Sequence, residues 1–380
     1  MQLSPKLTKV DTSIFSVMSA LANKHNAINL SQGFPNFESD QKLIDAVSNA
    51  MNTGYNQYAP MAGSFDLRQA ISKKFEYLYN SSYHPETEIT VTAGATQAIF
   101  SILSAFIKPG DEVIIFKPAY DSYQPSIEAN GGKAIAIALE APHYSIDWTH
   151  VEQQISAATK MIIINTPHNP SGTVMHQTDM LQLQKLTEGT NILVLSDEVY
   201  EHIIFDGESH QSVCLFSDLK KRSFITASFG KTFHNTGWKV GYCCAPKALM
   251  EAFRALHQFT VFSVHHPTQK GLADYLAESN HYVHLSEFYQ EKRDTFLDLI
   301  KASRFKFTPS KGTYFQVLDF SNITSENDLL FAKRLTIEKG LASIPLSVFN
   351  DQQRDDKVLR FCFAKTNDTL KAAAQILNSI

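Results

Sequence analysis

Met161-Ile162-Ile163-Ile164-Asn165, running into Thr166-Pro167-His168-Asn169-Pro170-Ser171-Gly172, is the stretch on which the fold turns. An unbroken apolar run without polar alternation describes a strand buried on both faces, as in a parallel sheet covered by helices. Pro167, Pro170 and Gly172 then end that strand in a fixed loop. A generic turn accounts for the prolines and the glycine, but not for the interleaved Asn165 and Asn169. Ligand sites of open α/β sheets gather beyond the carboxyl ends of the strands, which makes this loop a candidate.

The same alternation extends in both directions. Upstream, Leu43, Ile44, Val47 and Met51 form one stripe of a helix over 40–51, ended by Gly54. A strand over 88–93 leads to an apolar helix over 96–107, and Pro109-Gly110-Asp111 turns the chain into a strand over 112–116. Strand 133–139, helix 147–156, strand 161–165, helix 178–187 and strand 192–196 follow, then apolar runs at 223–228 and 239–244. After Pro267 the character changes: long helical sequence over 271–300, a strand from Thr313, a helix over 326–339, a strand over 358–363 and a terminal helix from Thr369. The expectation is an α/β fold: a large domain over 36–275 with a mostly parallel, mixed sheet between helices, and a smaller α+β domain over 276–380. Residues 1–35 are expected to form an arm, with Ile14, Phe15, Val17, Met18 and Leu21 at helical spacing, and to complete part of the smaller domain.

Composition narrows the function. A chain of 380 residues with 43% hydrophobic and 19% charged content is ordinary globular material. Its net charge of -4 gives no reason to expect nucleic acid or an anionic membrane as partner. No apolar run is long enough for a membrane span, and the N-terminus lacks the pattern of a signal peptide. Cys214, Cys243, Cys244 and Cys362 form no CxxC pair and read as buried thiols of a cytoplasmic protein. The histidines include no metal-binding pair, and no metal site is expected.

Four short segments carry chemistry. Ser228-Phe229-Gly230-Lys231-Thr232-Phe233 ends an apolar strand with a lysine. An ordinary lysine is a solvated surface amine. On the lip of an apolar core, however, its charged form is disfavoured and its amine becomes nucleophilic. Leu195-Ser196-Asp197-Glu198-Val199-Tyr200 sets a carboxylate directly after an apolar strand, either as a helix cap or as the partner of a cationic ring nitrogen. Tyr200, three residues on, is close enough to address the same ligand. Thr92-Ala93-Gly94-Ala95-Thr96-Gln97 joins a strand to a helix through small residues. Any tight turn looks similar, but free amide groups at a helix start also bind phosphate. The loop from Asn165 to Gly172 is the fourth.

Taken together, and with Ser31-Gln32-Gly33-Phe34-Pro35 and Leu359-Arg360-Phe361-Cys362-Phe363 near the ends, these motifs make the chain resemble the fold type I, class I aminotransferases. Within them it resembles the kynurenine/glutamine-phenylpyruvate and methionine aminotransferase branch. The resemblance implies pyridoxal 5'-phosphate as cofactor. Lys231 would bond it covalently, Asp197 would pair with its ring nitrogen, and Tyr200 and Asn169 would reach the ring oxygen. Ala95, Thr96, Ser228 and Lys239 would hold the phosphate, and Tyr120 would stack on the ring. Tyr58 would reach the neighbouring subunit's phosphate, giving a homodimer with shared active sites. Arg360 would clamp the substrate carboxylate, with Gly33 and Asn169 nearby and Phe15 over the substrate side chain. His168 receives no role. Many relatives place arginine where Gly237-Trp238-Lys239-Val240-Gly241 offers lysine, which supplies charge without a bidentate fork.

The activity so implied is ping-pong transfer of an amino group from a neutral amino acid (methionine, an aromatic residue or glutamine) to a 2-oxo acid. Tyr120, Phe34 and Tyr58 are further candidates for the pocket wall. Two alternatives stand beside this reading: a β-lyase cleaving the carbon–sulfur bond of cysteine conjugates, and a regulator that senses the cofactor without catalysis.

Overall fold

The computed structural model describes residues 6–7 and 12–380. Its central sheet is built from the apolar runs of the sequence, because successive side chains of a strand point to opposite faces. Val113, Ile115, Met161, Ile163, Leu195 and Phe224 fill one apolar layer. Their neighbours Ile114, Phe116, Ile162, Ile164, Val194 and Ile225 fill the other. Each such buried side chain contributes about 1.5–3 kcal/mol of transfer free energy, and strands with two apolar faces gain it on both sides.

The strands are β1 (Ile28–Asn29), β2 (Ile89–Thr92), β3 (Glu112–Lys117), β4 (Lys133–Ala138), β5 (Thr159–Asn165), β6 (Leu193–Asp197), β7 (Ser223–Ser228) and β8 (Gly241–Cys244). Later in the chain come β9 (Phe315–Asp319), β10 (Leu341–Ala342), β11 (Ile344–Pro345) and β12 (Val358–Cys362). Seven of them form the central sheet in the order β2-β8-β7-β6-β5-β3-β4. Only β8 runs against its neighbours, so the sheet is mixed and mostly parallel, as expected. The carboxyl ends of β2, β3, β5, β6 and β7 therefore share one edge. Helix Ala95–Phe106 packs Ala98, Ile99, Ile102 and Leu103 into one apolar layer. Helix Phe65–Tyr79 packs Leu67, Ile71 and Phe75 into the other.

An antiparallel sheet β11-β12-β9 lies later in the chain, with Arg360 of β12 opposite Val317 of β9 and Ile344 of β11. The short β1 pairs in parallel with β10. The segment after β1 runs on against β12, where the Cys362 amide donates to the Leu30 carbonyl at 2.8 Å.

Two expectations need correction. The sequence over 271–300 is three helices, His266–Leu276, Asn280–Val283 and Leu285–Ile300, and the first starts before Gly271 with Pro267 in its first turn. The run at 239–244 is strand only from Gly241. Lys239 has a left-handed backbone (φ 55), which turns it out of the ladder. Helices Phe65–Tyr79 and Lys247–Thr260 were not anticipated. No helix of the described residues is long and apolar enough to cross a membrane.

Candidate active site

The shared edge of the sheet opens into a cavity of about 280 Å³. Each lining group arrives there because a strand stops. β6 ends on Asp197, β7 ends on Ser228 with Lys231 in the short helix that follows, and β5 ends on Asn165 with Asn169 in its loop. After β2, Gly94 (φ 80) opens helix Ala95–Phe106, so that Ala95 and Thr96 present the first turn to the cavity. Lys239 comes from the turn before β8, Tyr120 from the segment after β3, and Arg360 from the middle of β12.

Lys231 lines the cavity. Its Nζ is 3.1 Å from the Gly33 carbonyl and 3.0 Å from the Tyr314 hydroxyl, which itself donates to Gly33 at 2.5 Å. Burial, with no carboxylate in contact, pushes the amine down to about 8 from its ordinary 10.5. A fraction of it is therefore the free base near neutral pH.

Asp197 is buried at 4% exposure. Its Oδ2 accepts a 2.6 Å bond from the Tyr123 hydroxyl and its Oδ1 a long 3.4 Å contact from the Val199 amide. Burial raises the carboxyl to about 6, and these two donors only partly oppose it. It caps no helix. The side chain of Asn165 donates to the Asp197 carbonyl at 2.8 Å, tying the ends of β5 and β6 together.

Arg360 is 1% exposed. Its Nη1 donates to Asn169 Oδ1 at 2.7 Å and its Nη2 to the Ser31 carbonyl at 3.1 Å, while its buried Nε has no partner. The guanidinium stacks 3.8 Å from the Phe315 ring centroid and 5.2 Å from that of Phe15. Burial lowers it to about 10, which leaves it fully charged at neutral pH. Phe15 belongs to helix Ile14–Lys24. Its carbonyl accepts from Gln32 Nε2 at 2.8 Å, and the preceding Ser13 hydroxyl donates to Asp121 at 3.0 Å.

Of the residues singled out from sequence, Lys231, Asp197, Tyr200 and Asn169 line this one cavity, and so do Ala95, Thr96, Ser228 and Lys239. Tyr120, Gly33, Phe15 and Arg360 complete the wall, with Thr96 Oγ1 3.1 Å from the Tyr120 hydroxyl. Tyr58 and Phe34 do not line it. Tyr58 is 80% exposed with its ring against Phe262, and Phe34 is 44% exposed. His168 faces a second cavity behind the loop, with its Nδ1 2.6 Å from the Ser171 hydroxyl. Among the described residues no cluster suited to a metal ion is found.

Tyr123 and Tyr314 touch Asp197 and Lys231 directly and were not anticipated. Tyr123 lies three residues beyond Tyr120, close enough to have been considered. Tyr314 falls within the strand expected from Thr313, just before β9 begins, but nothing local marks its hydroxyl as a partner of a lysine far upstream.

Comparison with known proteins bears on this arrangement. The family model described as Aminotransferase class I and II matches residues 25–377. The methionine aminotransferase of Escherichia coli (strain K12) is 46% identical over 99% of this chain and 97% of its own. A kynurenine–oxoglutarate transaminase of Dictyostelium discoideum is 33% identical, covering 97% of this chain and 94% of its own. Among solved structures, an Escherichia coli protein identified as having a methionine aminotransferase function superposes with a TM-score of 0.97, at 45% identity over 100% of both chains.

Proposed function

The chain belongs to the class I and II aminotransferases, and from that premise we propose that it transfers the amino group of a neutral, long-side-chain amino acid, methionine first, to a 2-oxo acid with pyridoxal phosphate at Lys231. The fold and the aminotransferase activity follow from the family. The substrate, the residue roles and the assembly are this reading's own.

Three features of the cavity fit the cofactor. Asp197 is a buried carboxylate with no cation hydrogen-bonded to it, and a protonated ring nitrogen would supply one. The first amides of helix Ala95–Phe106 have no carbonyl of their own helix to bond, and a Cβ on Gly94 would stand 3.3 Å from Lys239 Nζ. Those amides and that ammonium suit a phosphate, with Thr96 and Ser228 beside them. Asn169 gives its side-chain oxygen to Arg360 and so keeps its NH₂ free for the ring oxygen, which Tyr200, on the same cavity wall, would share.

Bound there, pyridoxal phosphate supplies an aldehyde for the substrate amine and a cationic ring that accepts the electron pair left at Cα. The protein supplies the rest. Lys231 would hold the cofactor covalently and be released when the substrate amine takes its place. Its Nζ, once free, would take the proton from Cα and deliver it to the cofactor carbon that carried the aldehyde. Asp197 would keep the ring nitrogen protonated. Arg360 fixes the substrate carboxylate and, with Phe15 and Phe315 against it, orients Cα toward Lys231.

The substrate class rests on one observation: among the described residues, Arg360 is the single arginine lining the cavity, and aromatic rings flank it. One fork serves one α-carboxylate. An acidic side chain would be left without a partner, at a cost, whereas each methylene of methionine gains about 0.8 kcal/mol on burial. The test is a survey of amino donors, one at a time, against the absorbance of the bound cofactor. Methionine, phenylalanine and glutamine are expected to react with higher specificity constants than aspartate and glutamate. The reverse order would refute the pocket assignment.

The proposed assembly is a homodimer in which Tyr58 serves the partner's cofactor, supported by its exposure away from its own cavity. The proposed domains are 36–275 and 276–380, with 1–35 as arm and part of the latter. Residues 1–5 and 8–11 of that arm lie outside those described. The central sheet falls within the first range and β9, β11 and β12 within the second. A reducing cytoplasm suits the four buried free cysteines.

A further inference from the structure

The segment Asp197-Glu198-Val199-Tyr200-Glu201 faces two ways. Asp197, Val199 and Tyr200 line the cavity. Glu198 and Glu201, 0% and 6% exposed, serve a polar layer on the other side. Glu201 Oε1 lies 2.5 Å from Lys74 Nζ and accepts from the Tyr242 hydroxyl at 2.9 Å, while its Oε2 accepts from Tyr79 at 2.8 Å. Lys74 is itself 4% exposed and donates to Tyr242 at 2.6 Å. Glu198 accepts from Ser196 Oγ at 2.8 Å and the Val213 amide at 3.2 Å, with His210 Nε2 at 2.9 Å. The ties reach helix Phe65–Tyr79, strand β8 and the loop leading to Val213.

A buried ion pair is a poor source of stability, because apolar residues of the same shape do as well or better. What it supplies is direction. Burial works against the Glu201 carboxylate, but Lys74, His202 and the hydrogen bonds outweigh it and hold the group well below its ordinary range. Lys74 thus pulls on a permanent anion four residues from Asp197 and next to Tyr200. We propose that Lys74 and Glu201 are positioning residues, whose pair with Tyr242 and Tyr79 fixes the 197–201 backbone and thereby the placement of Asp197 and Tyr200 against the cofactor. This rests on the reading of Asp197 and Tyr200 as cofactor contacts.

Removing one partner leaves a buried charge alone and risks unfolding, so the informative variant removes both. Lys74→Met/Glu201→Gln keeps the shape, and the amide offers its oxygen to one tyrosine hydroxyl and its NH₂ to the other. In the cofactor-loaded enzyme it is expected to melt near the parent, with kcat lowered about tenfold to a hundredfold, the cofactor dissociation constant raised about tenfold and the KM for methionine within about threefold. Lys74→Arg, which keeps the charge, is expected to retain most of the parental kcat. Parental kcat and cofactor affinity in the double variant, with Asp197→Asn crippled, would overturn the positioning role alone. Parental activity in Asp197→Asn would overturn the cofactor reading and the proposal with it. Should the double variant not fold, Tyr79→Phe removes one bond to Glu201 without touching a charge. A lowered kcat there supports the proposal, and an unchanged one overturns it.

Discussion

Lys231 shows what a single side chain gains from its surroundings. The Gly33 carbonyl and the Tyr314 hydroxyl hold its Nζ in place without neutralising it, so burial governs its proton and brings it down to about 8. The reactive form is the free amine, and its fraction grows as pH rises through that value. The rate at which cofactor-free protein takes up pyridoxal phosphate should climb between about pH 6 and 9 and level off above, whereas a solvated lysine would keep gaining past about 10. A stopped-flow pH profile reads this directly, and a rate still rising steeply at pH 10 would contradict it. Lys231 and Asp197 were legible because each stands out against its apolar flanks, and Arg360 only through the resemblance. Tyr123 and Tyr314 were not, since their partners lie 74 and 83 residues away and no local pattern encodes the meeting.

At the scale of elements, the strands were the more readable half. Ile- and Val-rich runs with two apolar faces have few alternatives, and β3, β5, β6 and β7 lie within a residue or two of where the sequence sets them. Helix Phe65–Tyr79 carries Leu67, Ile71 and Phe75 on one stripe, but the buried Arg68 and Lys74 interrupt it with charges. Their partners come from other elements, so the helix does not read as amphipathic. Helix His266–Leu276 was placed only in part, and Gly271 within it is a close-packing point against helix Gln41–Asn52. A Cβ there would stand 2.5 Å from Val47 Cγ2 and 2.8 Å from its backbone nitrogen. Gly271→Ala gains about 1 kcal/mol of helix propensity but overpacks against backbone, at a cost of about 1–3 kcal/mol. The overpacking should win, and a lower melting temperature is expected. An unchanged or higher one would show that the two helices can part at little cost.

The whole molecule gathers its site from distant stretches of chain: the segment after β1, five strand ends of one sheet and the middle strand of another. The fold class was legible because the order of strands and helices admits few arrangements, and the motifs fall at strand ends where ligands bind. The assembly was legible only through resemblance, and Tyr58 tests it. Mixed and reassociated, inactive Lys231→Ala chains and impaired Tyr58→Ala chains should form hybrids with one intact site and recover part of the activity. No recovery on mixing, with Tyr58→Ala alone impaired, would argue against a shared site. Attachment of the cofactor to Lys231 in this cavity has a sharper test, because a second lysine, Lys239, lines the same wall. Borohydride reduction of the cofactor-loaded protein, followed by digestion and peptide mapping, reports which amine carries it. The pyridoxyl group is expected on Lys231, and a label on Lys239 or any other lysine would contradict that assignment.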